Sequence, residues 1–426
     1  MVYSVLGFLG IAAALVIGSQ LGHERADRNA LIASEEVATR VPVTEPEIKV
    51  HLLHDKIEGI VLGAAVGDAL GRVTEFIDTT EAITRKYGPD GVTSFKSFTG
   101  GDWVMHPYSR ECIAAYTDDT VMSLIVLQEA LRHTDAQLFI DALTERFRRL
   151  FGKDAFTVDP LYQVRAHGIQ NRSACTRPAA KIPLEAIPEY DRVVDSVVAK
   201  EGGCGSVMRA WPLAIVLYKD LDKAAFFADL QSRITHRHPM ARAASAAMAV
   251  GVASLLQGST PEVAVENMVK AARMFDEAEM LYKPLAHTVV KAESILEDTV
   301  LTSDMIQYAA QQARAGIDPS RILGTHNSKL ENRSTEGFLL GWAADEAVAA
   351  AVYVFLRHPD DLGAALQEAV NTPGDSDSIA TLAAALVGAH AGWNSFKKTG
   401  FDYSSLENRL ELGKLVEAVF SRIKSY

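Results

Sequence analysis

Two short acidic segments contain the residues best suited to chemistry. The first, Thr117–Thr120, reads Thr-Asp-Asp-Thr, and the second, Asp375–Ser378, reads Asp-Ser-Asp-Ser. Each is followed by a mostly apolar run, Val121–Leu127 or Ile379–Val387, which predicts a buried helix. Capping explains either segment alone, because Thr and Asp are favoured N-caps and the helix dipole stabilises a first-turn carboxylate by about 0.3 to 1 kcal/mol.

The two segments together predict a metal site, with capping as the alternative. They place four carboxylates and several hydroxyl groups at the starts of core helices, where an unpaired charge costs several kcal/mol. A bound cation would remove this cost. Oxygen donors favour Mg²⁺ or Mn²⁺, and the number of donors suffices for two ions.

Two further segments have the composition of ligand-binding loops. Glu201–Arg209 is rich in glycine and can turn its backbone N–H groups towards an anion, with Ser206 and Arg209 as helpers. An ordinary turn is the alternative. Thr235–Pro239 carries two histidines at the start of a helix, where capping or surface exposure competes with ligand binding.

The elements that must position these residues have helical spacing. Long windows match the helical period and few match the alternation of a strand. The absence of a fixed repeat favours a single all-α domain, and Asp154–Pro188 is predicted to be mostly loop. The predicted helices include Thr120–Arg132, Pro239–Gln257, Pro261–Met280, Gly337–Arg357 and Ser378–Phe396.

Glycines recur at every fourth position of a further predicted helix, His51–Gly71. They are Gly59, Gly63, Gly67 and Gly71, and they share one helix face. Small residues at this spacing favour close contact with another backbone. Asp68 and Glu75, near the end of this helix, are not explained by packing.

The first fifty residues differ from the rest of the chain. Residues 1–22 carry no charged side chain, which fits a membrane anchor, a secretory signal or an upstream extension of little consequence. Residues 23–50 are charged and contain two prolines, so we predict a linker or arm, followed by a domain over 51–426. Arg25 and Arg28 favour a cytoplasmic location of that domain.

Composition limits the remaining function classes. The chain has 426 residues, 48% of them hydrophobic, and a formal net charge of −12. It lacks the basic excess that a phosphate backbone rewards, so we expect no nucleic-acid partner. The three cysteines lack the spacing of a disulfide framework or a thiolate zinc site, which favours a reducing compartment.

The motifs in combination resemble the ADP-ribosylglycohydrolase family, which includes ADP-ribosylarginine hydrolases. The resemblance covers about residues 57–396, and six motifs occur in the order of the family. They are Gly67–Gly71 with Glu75, Thr117–Thr120, Gly203–Arg209, Thr235–Pro239, Gly341–Trp342 and Gly374–Ser378.

The resemblance implies a compact, single-domain orthogonal bundle of helices around a binuclear Mg²⁺ or Mn²⁺ centre. The implied catalytic residues are Asp375 and Glu75. The implied metal ligands are Thr117, Asp118, Asp119, Asp375, Asp377 and Ser378. The implied substrate-binding residues are Asp68, Gly203, Gly205, Ser206, Met208 and His236. Cys204 departs from the family pattern, which often has a small polar residue at this position.

The resemblance also implies the reaction. We expect a metal-dependent hydrolase that cleaves the glycosidic bond between ADP-ribose and a modified protein side chain, with arginine as the expected side chain. Serine-linked, polymeric and acetylated ADP-ribose are alternative substrates, because relatives with similar acidic segments hydrolyse them. An ADP-ribosylated protein is the expected partner, and protection against an ADP-ribosylating toxin is a conjecture from the N-terminal segment. Two alternatives are a non-catalytic ADP-ribose-binding or toxin-blocking protein and a membrane-tethered scaffold.

Overall fold

Alanine-rich and leucine-rich segments form helices throughout the described part of the chain. The computed structural model describes residues 45–77, 79–96, 114–151, 202–279, 301–323 and 339–424. Within these ranges there are α-helices and no β-strand, and an isolated β-bridge joins Gly203 to Ala343. The all-α prediction is confirmed. The α-helices are, in chain order, α1 (Glu45–Gly71), α2 (Thr80–Tyr87), α3 (Asp118–Arg132), α4 (Ala136–Phe151), α5 (Trp211–Leu217), α6 (Leu221–Thr235), α7 (Pro239–Leu256), α8 (Pro261–Arg273), α9 (Thr302–Arg314), α10 (Ala344–Arg357), α11 (Leu362–Ala369), α12 (Ser376–Ala391), α13 (Trp393–Lys397) and α14 (Arg409–Lys424).

Helix α1 begins before the predicted domain start at residue 51. It includes Glu45, and Glu45–Tyr426 forms one compact unit. The end of the predicted arm 23–50 therefore belongs to this helix. The predicted apolar segment 1–22 and the predicted loop Asp154–Pro188 lie outside the described residues.

Two other predicted helices end earlier than the sequence predicts. The run Ser378–Phe396 is broken at Gly392, which has φ +74 and separates α12 from α13. The Asp55 carboxylate fills the space where a Cβ at Gly392 would lie and accepts the backbone N–H of Asn394 at 3.0 Å. A contact with α1 therefore ends α12. The run Pro261–Met280 likewise becomes α8, which ends at Arg273.

Residues 339–343, before α10, are not helical, although the sequence predicts a helix from Gly337. Gly341 has φ +83, outside the helical region. The carbonyl of Trp342 accepts the N–H of Cys204 at 3.0 Å, and Ala344 N–H donates to the carbonyl of Gly202 at 3.0 Å. Pairing with the glycine-rich segment thus delays the start of α10 until Ala344.

The regularly spaced glycines line the contact between α1 and α12. A Cβ at Gly59 would lie 2.8 Å from the carbonyl carbon of Gly392, and a Cβ at Gly71 would lie 2.6 Å from the Cα of Asp377. Real Cβ atoms do not approach so closely, so the two backbones meet only because these residues are glycine. The predicted close contact is confirmed, and the helices run antiparallel.

Helix α7 lies at the centre of the bundle. It packs against α5, α6, α8, α10 and α12. In the described chain, α7 is long and apolar enough to cross a membrane, but all its residues except Arg242 are buried inside the protein. This burial is typical of a core helix.

Candidate active site

The antiparallel pairing of α1 and α12 brings Glu75 to the second acidic segment. Glu75 lies just after α1, and its backbone N–H donates to the carbonyl of Gly71 at 3.0 Å. One carboxylate oxygen from each of Glu75, Asp375 and Asp377 lies within 4.8 Å of the other two. The end of one helix and the start of the other thus form an acidic cluster from distant parts of the chain.

The turn that carries Asp375 is held from two sides. Gly374 has φ +92, and a Cβ there would lie 2.4 Å from the carbonyl oxygen of Leu340, so glycine is required. The N–H of Asp375 donates to the same oxygen at 2.8 Å, and the N–H of Phe76 donates to the carbonyl of Gly374 at 3.0 Å. The segments after α1 and before α10 therefore fix the start of α12.

The first acidic segment joins this cluster through Asp119. Thr117 is the N-cap of α3, and its hydroxyl donates to Asp119 Oδ2 at 3.2 Å. The hydroxyl of Ser378 donates to Asp119 Oδ1 at 2.8 Å. Asp118 is partly exposed next to this contact. The structure therefore brings together the two segments for which a shared metal is predicted.

Asp68, a predicted substrate-binding residue, holds the first acidic segment through hydrogen bonds. One of its oxygens accepts the N–H of Thr117 at 2.8 Å, and the other accepts the N–H and hydroxyl of Thr120 at 2.9 and 2.6 Å. Burial raises the pKa of Asp68 to about 6, although these hydrogen bonds lower it. Its side chain is fully buried and both of its oxygens accept hydrogen bonds, so Asp68 positions the first acidic segment. A role in substrate binding stays a prediction.

The carboxylates of the cluster are held in an interior that disfavours their charge. Asp119, Asp375 and Asp377 are only 4%, 4% and 2% exposed. Burial is the largest cause of the raised pKa of all three carboxyls. The charge of Asp68 raises the pKa of Asp119 further, and that of Glu75 does the same for Asp377. Such a cluster favours a compensating cation.

The donors fit a hard divalent cation. Mg²⁺ binds oxygen at about 2.1 Å, so two oxygens on opposite sides of one ion lie about 4.2 Å apart. The spacing of up to 4.8 Å among Glu75, Asp375 and Asp377 approaches this value. All three donors are carboxylate oxygens, which suit Mg²⁺ or Mn²⁺ better than softer metals.

Cys204 contacts this cluster from the glycine-rich segment. Its thiol donates to Asp375 Oδ2, with 2.7 Å between sulfur and oxygen, and its sulfur lies 3.6 Å from the hydroxyl of Ser378. Burial, followed by the charge of Asp375, raises the pKa of the Cys204 thiol well above its usual range. In this arrangement the thiol is the hydrogen-bond donor and Asp375 is the acceptor.

The glycine-rich segment lies against the ring of His236. A Cβ at Gly205 would lie 2.8 Å from His236 Cε1, and a Cβ at Gly203 would lie 3.8 Å from His236 Nε2. Glycine at position 205 leaves the room that the ring occupies. The predicted substrate-binding residues Gly203, Gly205 and His236 are thus neighbours.

Two other predicted substrate-binding side chains lie in the interior. The Ser206 hydroxyl is fully buried and forms hydrogen bonds with the hydroxyls of Ser232 and Ser245 at 2.9 and 3.2 Å. Met208 is 3% exposed and belongs to the hydrophobic core. Both side chains are thus used in internal contacts. Their role in substrate binding stays a prediction.

A buried relay holds His236 in place. Arg209 is 1% exposed and donates from Nη2 to the Thr235 hydroxyl at 2.7 Å, and that hydroxyl lies 2.7 Å from His236 Nδ1. Because a guanidinium only donates, the hydroxyl proton is available to Nδ1, which favours the neutral tautomer with its proton on Nε2. Burial and the charge of Arg209 lower the pKa of His236 to about 3. Arg209 therefore supports the ring and does not reach a ligand itself.

An aromatic pair next to the cluster was not predicted. The rings of Phe76 and Trp342 stack with centroids 4.9 Å apart and planes inclined by 25°. Phe76 follows Glu75 directly, and Trp342 belongs to a recognised motif. Their positions next to predicted site residues were the signal in the sequence that could have revealed the pair.

A buried carboxyl on α10 was also missed. Glu346 is 8% exposed, and its Oε2 has no hydrogen-bond partner among the described residues. Burial, followed by the charge of Asp345, raises the pKa of Glu346 to about 8. This burial was not predictable locally, because acidic residues in a first helical turn usually interact with the helix dipole at the surface.

Comparison with known proteins identifies the family. The profile described as ADP-ribosylglycohydrolase matches residues 50–425. The chain is 26% identical over 206 residues to the ADP-ribosyl-[dinitrogen reductase] glycohydrolase of Rhodospirillum rubrum, covering 48% of this chain and 60% of the relative. It is 24% identical over 350 residues to ADP-ribosylhydrolase ARH3 of Bos taurus, covering 79% of this chain and 85% of the relative.

A solved structure supports the fold. The chain is similar to a structure titled ADP-ribosylglycohydrolase-related protein complex, with a TM-score of 0.51 and 21% identity over 88% of this chain and 99% of the other. The matched family is metal-dependent and hydrolyses ADP-ribose from modified targets. Because the family profile spans most of the sequence, this chain belongs to the ADP-ribosylglycohydrolase family and is an ADP-ribosyl hydrolase.

Proposed function

We propose that the protein is a divalent-metal-dependent hydrolase that cleaves the bond between ADP-ribose and an arginine side chain. The observation that carries the proposal is the acidic cluster, in which oxygens of Glu75, Asp375 and Asp377 lie within 4.8 Å of one another. Asp119 is joined to it through the hydroxyl of Ser378. Arginine is proposed from the resemblance to ADP-ribosylarginine hydrolases.

The two acidic segments supply the donors for Mg²⁺ or Mn²⁺. When bound, the ion would polarise ribose hydroxyls and make a nearby water more acidic. The residues proposed to hold two such ions are Thr117, Asp118, Asp119, Asp375, Asp377 and Ser378.

The protein side chains orient the substrate and move the proton. Glu75 is partly exposed, so it can contact both the buried cluster and an entering substrate. We assign Glu75 or Asp375 as the group that takes a proton from the attacking water. Neutral His236, with its proton on Nε2, would donate a hydrogen bond to an oxygen of ADP-ribose beside Gly203 and Gly205.

The main alternative is a protein that binds ADP-ribose without cleaving it. The sequence contains Asp118, Asp119, Asp375 and Asp377, which catalysis needs and simple binding does not. This donor set favours the enzyme.

The direct test compares linkages and variants. The full chain is incubated with Mg²⁺ or Mn²⁺ and protein carrying ADP-ribose on arginine or on serine, and released ADP-ribose is measured by chromatography. We expect release from the arginine linkage, and we expect Asp119→Asn and Asp377→Asn to lose at least 100-fold in rate, on the order expected for transition-state electrostatic groups. Asp222→Asn, at an exposed position on α6, is the matched control. Release that is equal with and without metal would reject metal dependence, and release from serine alone would reject arginine.

A cytoplasmic location, with residues 1–22 as a membrane tether, is also proposed. Its support is the uncharged N-terminal sequence, the two arginines that follow it and the low cysteine count. Fractionation of cells that express the chain with and without residues 1–22 tests it. A role against a toxin stays a prediction from the N-terminal segment.

A further inference from the structure

The stacked side chains of Phe76 and Trp342 belong to the two segments that contact the turn carrying Asp375. Phe76 is 39% exposed although it stacks on Trp342, whereas Asp375 and Asp377 are 4% and 2% exposed. A side chain that belongs to another protein must enter from solvent. An exposed ring in the segment next to the buried carboxylates is available to such a side chain.

The backbone holds Phe76 in a conformation that a bulky residue rarely adopts. Its φ is +66, in the left-handed region, and its N–H donates to the carbonyl of Gly374 at 3.0 Å. Strained residues of this kind concentrate at functional sites, where the surroundings fix them. Here the hydrogen bond fixes the backbone that carries an exposed aromatic side chain directly after Glu75.

The backbone around Trp342 is also held by contacts with the site. A Cβ at the preceding Gly341 would lie 3.2 Å from the Cβ of Asp375, so this segment lies directly against the acidic turn. The carbonyl of Trp342 is bound by the N–H of Cys204 at 3.0 Å. The backbones that carry both rings are thus fixed by contacts to residues of the site.

The chemistry of the pair matches a planar cation. A guanidinium is flat, delocalised and weakly hydrated, and it stacks on aromatic faces better than an ammonium does. Carboxylates next to the rings, above all Glu75, add attraction for positive charge. A serine-linked substrate has no such group at the same position.

We propose that Phe76 and Trp342 bind the guanidinium of the modified arginine, on the protein side of the bond that is cleaved. The pair then determines the preference for the arginine linkage, while the ADP-ribose portion is held by other residues. This inference rests on the proposed hydrolase function.

The kinetic test compares two linkages in the metal-loaded full chain. Phe76→Leu and Trp342→Leu should lower kcat/KM for the arginine-linked substrate about tenfold, the size of a cation–π contact, and change it for the serine-linked substrate less than threefold. Phe76→Tyr should retain the preference. Phe226→Leu, at another exposed aromatic on α6, should change neither substrate. Equal losses on both linkages would overturn the proposal.

A binding test does not depend on catalysis. Agmatine, a small alkylguanidinium, is titrated while tryptophan fluorescence is followed, with 1,5-diaminopentane as the ammonium analogue. We expect agmatine to bind more tightly than the diamine and Phe76→Leu to weaken agmatine binding at least fivefold. Agmatine binding that is unchanged in Phe76→Leu would overturn the proposal. A wild-type protein that releases ADP-ribose from no linkage refutes the proposed function instead, and the titration still decides the role of the pair.

Discussion

Replacement of Gly71 by alanine tests how α1 and α12 position the acidic cluster. An alanine Cβ would lie 2.6 Å from the Cα of Asp377 and 2.6 Å from the carbonyl oxygen of Ser376. Optimal contacts between carbon atoms are about 3.5 to 4.0 Å, so the start of α12 must retreat by about 1 Å. That movement displaces Asp377 directly.

The expected magnitude follows from overpacking. Inserting a methyl into a filled contact costs about 1 to 3 kcal/mol, and backbone atoms on the opposite side place this variant near the upper end. In a domain of roughly 380 residues, 1 kcal/mol corresponds to only about 1 °C in Tm. Urea unfolding is therefore the better measure of stability. For a shifted cluster we also expect Mn²⁺ affinity to fall at least about tenfold, which corresponds to about 1.4 kcal/mol.

Two glycine variants serve as controls for Gly71→Ala. Gly59→Ala overpacks the same helix pair about 18 Å away along α1, since each residue adds about 1.5 Å. It should cost similar stability but change Mn²⁺ affinity less. Gly413→Ala, on α14 with no atom within 4 Å of the added Cβ, should be neutral or stabilising by up to about 1 kcal/mol.

The assay is urea unfolding without metal, followed by calorimetric titration with Mn²⁺. If Gly71→Ala unfolds like the wild type and binds Mn²⁺ with the same affinity, the glycine contact does not set the cluster. If Gly59→Ala weakens Mn²⁺ binding as much as Gly71→Ala, the effect is global and the reasoning fails.

Three further predictions concern single buried groups. Asp68→Asn should lower the free energy of unfolding by about 1 to 3 kcal/mol, because an amide cannot accept all the hydrogen bonds from Thr117 and Thr120; unchanged urea unfolding would contradict this. His236, with a pKa near 3, should stay neutral from pH 5 to 8 in ¹⁵N NMR spectra assigned with His236→Gln; a titration near pH 6.5 would contradict it. Folded Glu346 holds its proton up to about pH 8, whereas the unfolded group loses it near 4.5, so wild-type stability should fall relative to Glu346→Gln as pH rises from 5 to 8. At about 1.4 kcal/mol per pKa unit the change is on the order of a few kcal/mol, and a stability difference that does not vary with pH would contradict it.

The acidic segments and the glycine spacing were visible in the sequence because each is a local pattern. Four carboxylates directly before apolar helices indicate buried negative charge that must be compensated, whatever the fold. Glycine at every fourth position defines one helix face. The structure combines these patterns, since the glycine face sets α1 against the start of α12 and so places Glu75 beside Asp377.

Features that depend on a distant partner were not predicted. Asp68 belongs to a recognised motif, but its contacts follow from three hydrogen-bond donors on two residues about fifty positions later. The break at Gly392 follows from contact with Asp55 on α1, whereas the local pattern favoured a continuous helix. The buried position of Ser206 likewise depends on hydroxyls from two other helices, which local spacing does not reveal.

The most direct test is an anomalous diffraction map from crystals of the full chain soaked in Mn²⁺. We expect at least one Mn²⁺ peak with carboxylate oxygens of both acidic segments, from Asp119 and from Asp375 or Asp377, within about 2.3 Å. The same soak of Asp119→Asn plus Asp377→Asn should lose that peak. Full Mn²⁺ occupancy elsewhere in the protein, with no density between the two segments, would contradict the shared metal centre.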